Sequence, residues 1–222
     1  MKTLNRTSKF FQQVYFWMFL GLILSAVTAL IVVSSPALTN LIFSNMLIFI
    51  GLIVLELILV VSITGMIHKL PLNMSRTLFL FYSFLNGVTI SIILLFYTAT
   101  SIAVTFFIAA SMFGILAIWA FFTDTDISKL GPILFMALIG IIIAMIVNFF
   151  LKSSALMYVI SVIGVVVFSA LTAYDNQRLK QLSIEIKDPK QLPRYSILGA
   201  LRLYLDFINL FLFLLRLFGK RR

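Results

Sequence analysis

Thr77–Thr123 reads TLFLFYSFLNGVTISIILLFYTATSIAVTFFIAASMFGILAIWAFFT, without one Asp, Glu, Lys, Arg or His. A helical bilayer crossing needs about 20 apolar residues, so this stretch is too long for one span. Thr98-Ala99-Thr100-Ser101 is the polar cluster that splits it in two. The runs are continuous, not alternating. Barrel strands alternate apolar and polar residues over about ten positions. In lipid every backbone N–H and C=O must be satisfied internally, which leaves helices here.

Working outward, the same reading gives seven spans: Val14–Val33, Met46–Ile67, Leu78–Thr98, Ile102–Phe122, Gly131–Leu151, Ala155–Tyr174 and Ile197–Phe218. The expectation is an all-α polytopic membrane protein, a single seven-helix transmembrane domain over residues 1–222. Ser34-Ser35-Pro36 ends the first span, because proline cannot continue the helical ladder. His68-Lys69-Leu70-Pro71 ends the second, and Lys152-Ser153-Ser154 is a short connection. Asn176–Ser196, with five Lys or Arg residues and two prolines, reads as the longest polar stretch between spans.

Composition agrees. Of the 222 residues 62% are hydrophobic and 11% charged, and the mean hydropathy is +1.15. A soluble domain of this size could not hide that much apolar surface. The net charge of +10 would suggest nucleic acid in a soluble chain. Here it fits cytoplasmic loops facing anionic lipid, so the bilayer is the expected partner and nucleic acid is not. With no cysteine and one histidine, disulfides, thiolate chemistry and His-rich metal centres are excluded, and no cofactor is expected. No nucleophile–base set, phosphate loop or HExxH motif appears, so an enzyme is not expected. Lys and Arg crowd the N-terminal tail (Lys2, Arg6, Lys9), the His68–Arg76 connection and Asn176–Ser196. That asymmetry predicts a cytoplasmic N-terminus. The basic tail Lys220-Arg221-Arg222 runs against the rule. Either the last segment is re-entrant, or the early loops fix the topology; the early loops weigh more, so seven spans are preferred.

Ionisable groups at membrane depth cost about 2.5–3.5 kcal/mol each on insertion scales, which makes them functional candidates. Glu56 lies mid-way along the second span, Asp175 closes the sixth, and Arg202, Asp206 and Arg216 lie in the seventh. Arg202, Asp206, Asn209, Phe213 and Arg216 share one helical face, as do Ser161, Gly164, Phe168, Thr172 and Asp175. Facing stripes would make Asp175 and Asp206 neighbours. Two carboxylates in one low-dielectric site titrate as a unit and supply hard oxygen ligands suited to calcium. The alternative is structural: Arg202 and Asp206, at i and i+4, neutralise each other. Glu56 is either a proton or cation relay or a hydrogen bond to a neighbouring helix. Gly87 and Ser91, and Ala137, Gly140 and Ala144, are small residues at packing spacing. Asp124 and Asp126 read as solvated loop residues.

Ala173-Tyr174-Asp175-Asn176-Gln177-Arg178-Leu179-Lys180 and Leu203-Tyr204-Leu205-Asp206-Phe207-Ile208-Asn209-Leu210-Phe211 resemble the Bax inhibitor-1 (transmembrane Bax inhibitor motif) family, in its bacterial YccA/YetJ-like branch. Asn86-Gly87-Val88-Thr89-Ile90-Ser91 is a weaker match. The resemblance covers the whole chain in length and span count. It implies seven helices with the C-terminal helix central. It also implies a pH-sensitive calcium leak gated by a di-aspartyl pair, Asp175 and Asp206, which would share a proton and meet calcium transiently. Glu56 and Asn209 would line the ion path. Relatives carry an arginine latch at the cytoplasmic end of the second span, where this chain reads Met66-Ile67-His68-Lys69. Arg202 and His68 are the candidate replacements. The rival expectation is a non-conducting interaction protein, a substrate or modulator of a membrane AAA protease. The expected compartment is the bacterial plasma membrane.

Overall fold

The computed structural model describes residues 2–186 and 188–222. They form eight α-helices, with no β-strand among the described residues: α1 Lys2–Ser34, α2 Pro36–Phe43, α3 Met46–Met66, α4 Leu72–Phe96, α5 Ala99–Phe122, α6 Gly131–Leu151, α7 Ser154–Glu185 and α8 Leu192–Phe218. Seven are long and apolar enough to cross a membrane; α2 is the exception. The protein is an all-α polytopic membrane protein.

Most boundaries follow from local chemistry. Ser35 caps α2, its hydroxyl accepting from the Leu38 N–H, and Pro36 takes the first helical position, where its missing N–H costs nothing. Thr98 caps α5 in the same way, accepting from the Ser101 N–H at 3.3 Å. The break in the uncharged stretch therefore falls at Tyr97-Thr98, and Ala99, Thr100 and Ser101 are already helical.

Three expectations are corrected. The first span begins well before Val14, inside a helix of 33 residues. The helix of the sixth span does not end at Asp175, because α7 continues to Glu185. At about 1.5 Å per residue, its 32 residues outrun a hydrocarbon core of about 30 Å, and the surplus is free to be polar. Asn176–Ser196 is accordingly mostly helix. Lys187, counted in that stretch, and the side chain of Lys2 lie outside the described residues.

The chain divides into two compact units. One holds the chain up to Tyr97 with Ser183–Tyr204 and Arg222; the other holds Thr98–Leu182 and Leu205–Arg221. In the first, α1 and α4 pack so closely that a Cβ on Gly87 would lie 2.5 Å from the Ser25 carbonyl oxygen. The packing role read for Gly87 holds. Gly140 is different. It lies on an exposed part of α6, and among the described residues no atom of a neighbour comes within 4 Å of the place a Cβ would take. In the second unit, α8 meets α5 through Phe106, Phe113, Phe207 and Phe211.

α8 serves both units and is the most enclosed helix. Of its most apolar segment 72% is buried, against 11% for α3 and 17% for α6. It runs unbroken to Phe218, with the length and apolarity of a crossing. Beyond it, the Lys220 carbonyl accepts from the Thr98 N–H at 3.1 Å and the Lys220 N–H donates to the Ser101 hydroxyl at 2.9 Å. The basic tail is thus fastened to the connection between α4 and α5.

Candidate functional site

Polar side chains at membrane depth gather at two places, one in each unit. In the first unit, the Asn86 amide donates to Glu56 Oε2 at 3.1 Å and the Thr89 hydroxyl donates to Oε1 at 2.8 Å. Asn86 Oδ1 in turn accepts from the Tyr204 hydroxyl at 2.8 Å, and that hydroxyl lies 2.6 Å from Ser25 Oγ. Four helices contribute: α1, α3, α4 and α8. Tyr204 is completely buried and packs edge-on against Phe79 and Tyr82. Ser25 also reaches the Ser83 carbonyl at 2.7 Å.

The donor order has a direction. Asn86 uses its NH2 on the carboxylate, so its oxygen must accept, and Tyr204 must give its proton to it. Ser25 has a single proton, for which the Ser83 carbonyl at 2.7 Å and the Tyr204 oxygen at 2.6 Å compete. The Thr89, Asn86 and Tyr204 donors point toward Glu56, and aligned hydrogen bonds in a low-dielectric interior reinforce one another. Of the two readings of Glu56, the geometry shows the interhelical hydrogen bond. Sequence reading singled out Glu56 but missed Ser25 and Tyr204. The signal available was Asn86 and Thr89 in the charge-free stretch, one helical turn apart on the face of Gly87's helix.

In the second unit, α7 turns its small and polar stripe inward as expected: Ser161, Gly164, Phe168 and Thr172 are all buried. The neighbouring Val162, Ile163 and Val166 are exposed, as a lipid-facing side requires. The stripe meets α8. A Cβ on Gly164 would lie 2.6 Å from the Phe213 ring, and the Phe168 and Phe213 rings are 5.7 Å apart. Consecutive spans run antiparallel, so register can be counted from this contact. Two turns onward along α7 from Phe168 is Asp175, and two turns back along α8 from Phe213 is Asp206. Both steps cover about 10 Å along their helix axes. Asp206 is only 5% exposed, and Asp175 is half-buried.

The polar face read on the last helix is less selective than expected. Asp206 and Phe213 are buried, Arg202 and Asn209 are half-buried, and Arg216 is exposed, its guanidinium 5.4 Å from the Phe213 ring. Leu203 and Leu210, off that face, are also completely buried. Enclosure on nearly every side, not a single stripe, decides which α8 residues leave lipid. The Asn209 amide donates to its own helix at the Leu205 carbonyl, 2.8 Å away.

His68 is exposed, beyond the end of α3. At that connection the holding contact comes from Arg194, whose guanidinium donates to the carbonyls of His68 and Leu70 at 3.3 and 3.2 Å. An arginine is therefore present at the end of the second span, delivered from α8. The connection between α5 and α6 is fastened from α7: Gln177 donates to the Thr125 carbonyl at 2.7 Å and accepts from the Ile127 N–H at 2.9 Å, and Lys180 donates to the Phe121 carbonyl at 2.6 Å. Asp124 and Asp126 are exposed, as expected. The Ser128 hydroxyl, and after it the Ser128 N–H, hold the Asp126 carboxyl below the usual aspartate range. Among the described residues no three His, Cys, Asp or Glu side chains cluster as a metal site.

Residues 7–222 match the family model described as inhibitor of apoptosis-promoting Bax1. The inner membrane protein YbhL of Escherichia coli K12 is 51% identical over 212 residues, covering 95% of this chain and 91% of YbhL. An uncharacterised protein of Borreliella burgdorferi is 43% identical over 216 residues, 97% of this chain and 93% of its own length. Rickettsia prowazekii has a relative, RP147, 38% identical over 233 residues, 100% of this chain and 98% of RP147. With the seven spans and the two motif-bearing helices, α7 and α8, these matches make the chain a member of the Bax inhibitor-1 family.

Proposed function

We propose that this protein is a pH-sensitive calcium leak of the bacterial plasma membrane, with a cytoplasmic N-terminus, closed by Asp175 and Asp206. The observation that carries this reading is the antiparallel register fixed by Phe168 and Phe213, which leads by equal steps to the two aspartates. Two aspartates reached by equal steps along antiparallel helices, one of them 5% exposed, would favour a single shared proton over two full charges if their carboxyls meet. Binding or losing that proton changes the charge between α7 and α8, and so biases the closed–open equilibrium. Calcium, a hard cation, is drawn to such oxygens. Arg202, one turn before Asp206, is the candidate latch within α8, and Glu56, a third carboxylate at membrane depth, is the candidate ion-path residue.

The test is calcium flux in liposomes across a pH series. Asp175→Asn and Asp206→Asn should each flatten the pH dependence seen in the wild type. An unchanged profile in both variants rejects the gate. No leak from the wild type at any pH rejects the channel and leaves a non-conducting interaction protein, such as a modulator of a membrane AAA protease.

A further inference from the structure

In the first unit, the start of α1, the Pro189–Gln191 turn and the first turn of α8 enclose a cleft of about 370 Å³. Arg6, Lys9 and Gln13 supply its polar wall, and Phe10, Leu192 and Pro193 its apolar one; among the described residues no acidic side chain lines it. Two contacts between elements hold the walls. The hydroxyls of Thr7 and Ser183 are 2.9 Å apart, and Ser196 donates to Gln13 Oε1 at 3.3 Å, which leaves the Gln13 NH2 as a further donor. Asp188, beside the cleft, is engaged by the Lys190 N–H at 3.0 Å.

Arg6 is the anomaly. Its Nε and Nη2 are shielded from solvent and have no hydrogen-bond partner among the described residues. Leaving such donors unmet is costly, so buried ones are almost always satisfied. Arg76 also has an unbonded Nε, but its guanidinium lies over the Trp17 ring at 5.2 Å. Nε–H and Nη2–H are the two parallel donors of the side-on guanidinium fork, which matches two oxygens of a phosphate. Arg6 lies near the N-terminal end of α1, and the 29 residues from Arg6 to Ser34 are more than a hydrocarbon core of about 30 Å needs, which suits this end of the helix to the headgroup region.

We propose that this cleft binds a phosphate group, clasped by the Arg6 fork and neutralised by Lys9, with an anionic lipid headgroup as its source. Phe10 and Leu192 then lie against the apolar part of the lipid. The inference is independent of calcium conduction.

Native mass spectrometry on the delipidated full chain tests it, with phosphatidylglycerol and phosphatidylcholine as probes. Wild type should retain phosphatidylglycerol and not phosphatidylcholine. Arg6→Lys, which keeps the charge but loses the fork, should weaken retention about tenfold. Lys9→Gln, at an exposed position where folding is not at stake, should weaken it about threefold. Lys152→Gln, in the other unit, should change nothing. A second arm adds inorganic phosphate at matched ionic strength. Displacement of the lipid and thermal stabilisation by phosphate, both lost in Arg6→Lys, uphold the phosphate site and make its source a soluble anion; no phosphate effect beside retained lipid makes the source the headgroup. Equal retention by wild type, Arg6→Lys and Lys9→Gln, with no Arg6-dependent phosphate effect, overturns the proposal.

Discussion

Gly87→Ala should be among the most damaging single-methyl changes in this protein, and the structure gives its size. The new Cβ would lie 2.5 Å from the Ser25 carbonyl oxygen and 2.8 Å from Ser25 Cα. Both are backbone atoms, which cannot rotate away. Since carbon contacts relax at about 3.5–4.0 Å, α1 and α4 must part locally by about 1 Å. The same movement would stretch the bond from Ser25 on α1 to the Ser83 carbonyl on α4 from 2.7 Å to about 3.7 Å, past hydrogen-bonding range. Overpacking costs about 1–3 kcal/mol, and the broken bond adds about 1 kcal/mol. At about 2–4 °C per kcal/mol for a chain of this size, the apparent Tm should fall by about 5–15 °C. Thermal unfolding of the purified protein in detergent, followed by circular dichroism, measures it. Gly140→Ala is the matched control, because nothing among the described residues lies within 4 Å of its Cβ. It should hold or raise Tm, a helical Ala being favoured over Gly by about 0.5–1 kcal/mol. The reasoning is refuted if the two variants melt together.

Tyr204→Phe keeps the ring packing against Phe79 and Tyr82 but leaves Asn86 Oδ1 without its donor. Burial of that unmet group should cost about 1–3 kcal/mol, read as a lower Tm, and an unchanged Tm would remove Tyr204 from the network. Gln177→Ala deletes both bonds that fasten the connection between α5 and α6. Amide exchange at Thr125–Ser128 should quicken by at least about tenfold, while α3 and α4 exchange as before; the same exchange in variant and wild type would deny Gln177 that role. Because the Asp126 pKa lies below its ordinary value, its contribution to the Asp126–Ser128 turn is complete above the usual aspartate range, near about 3.9, and is lost as pH falls through its own lower pKa. Carboxyl carbon-13 titration should find that lower midpoint, and Ser128→Ala, which removes the hydroxyl contact, should raise it.

What the sequence decided alone was the number and kind of crossings. Each span is recognised by its own apolar length, because transfer into lipid is nearly additive along a helix and needs no partner. The inward stripe of α7 was legible for a similar reason, since small and polar residues recurring at helical spacing cannot all face acyl chains. Tertiary structure decided the rest. Polar residues from Asn176 to Glu185 stay helical because α7 extends beyond the hydrocarbon, and Gln177 and Lys180 find carbonyls on the α5–α6 connection. Gly87 and Gly140 are the same residue in the same kind of helix, yet one meets a neighbouring backbone and the other open space. The polar contacts linking Ser25, Tyr204, Asn86 and Glu56 draw on four helices far apart in sequence. Hydropathy is a property of each segment; a hydrogen bond between helices exists only once both are placed.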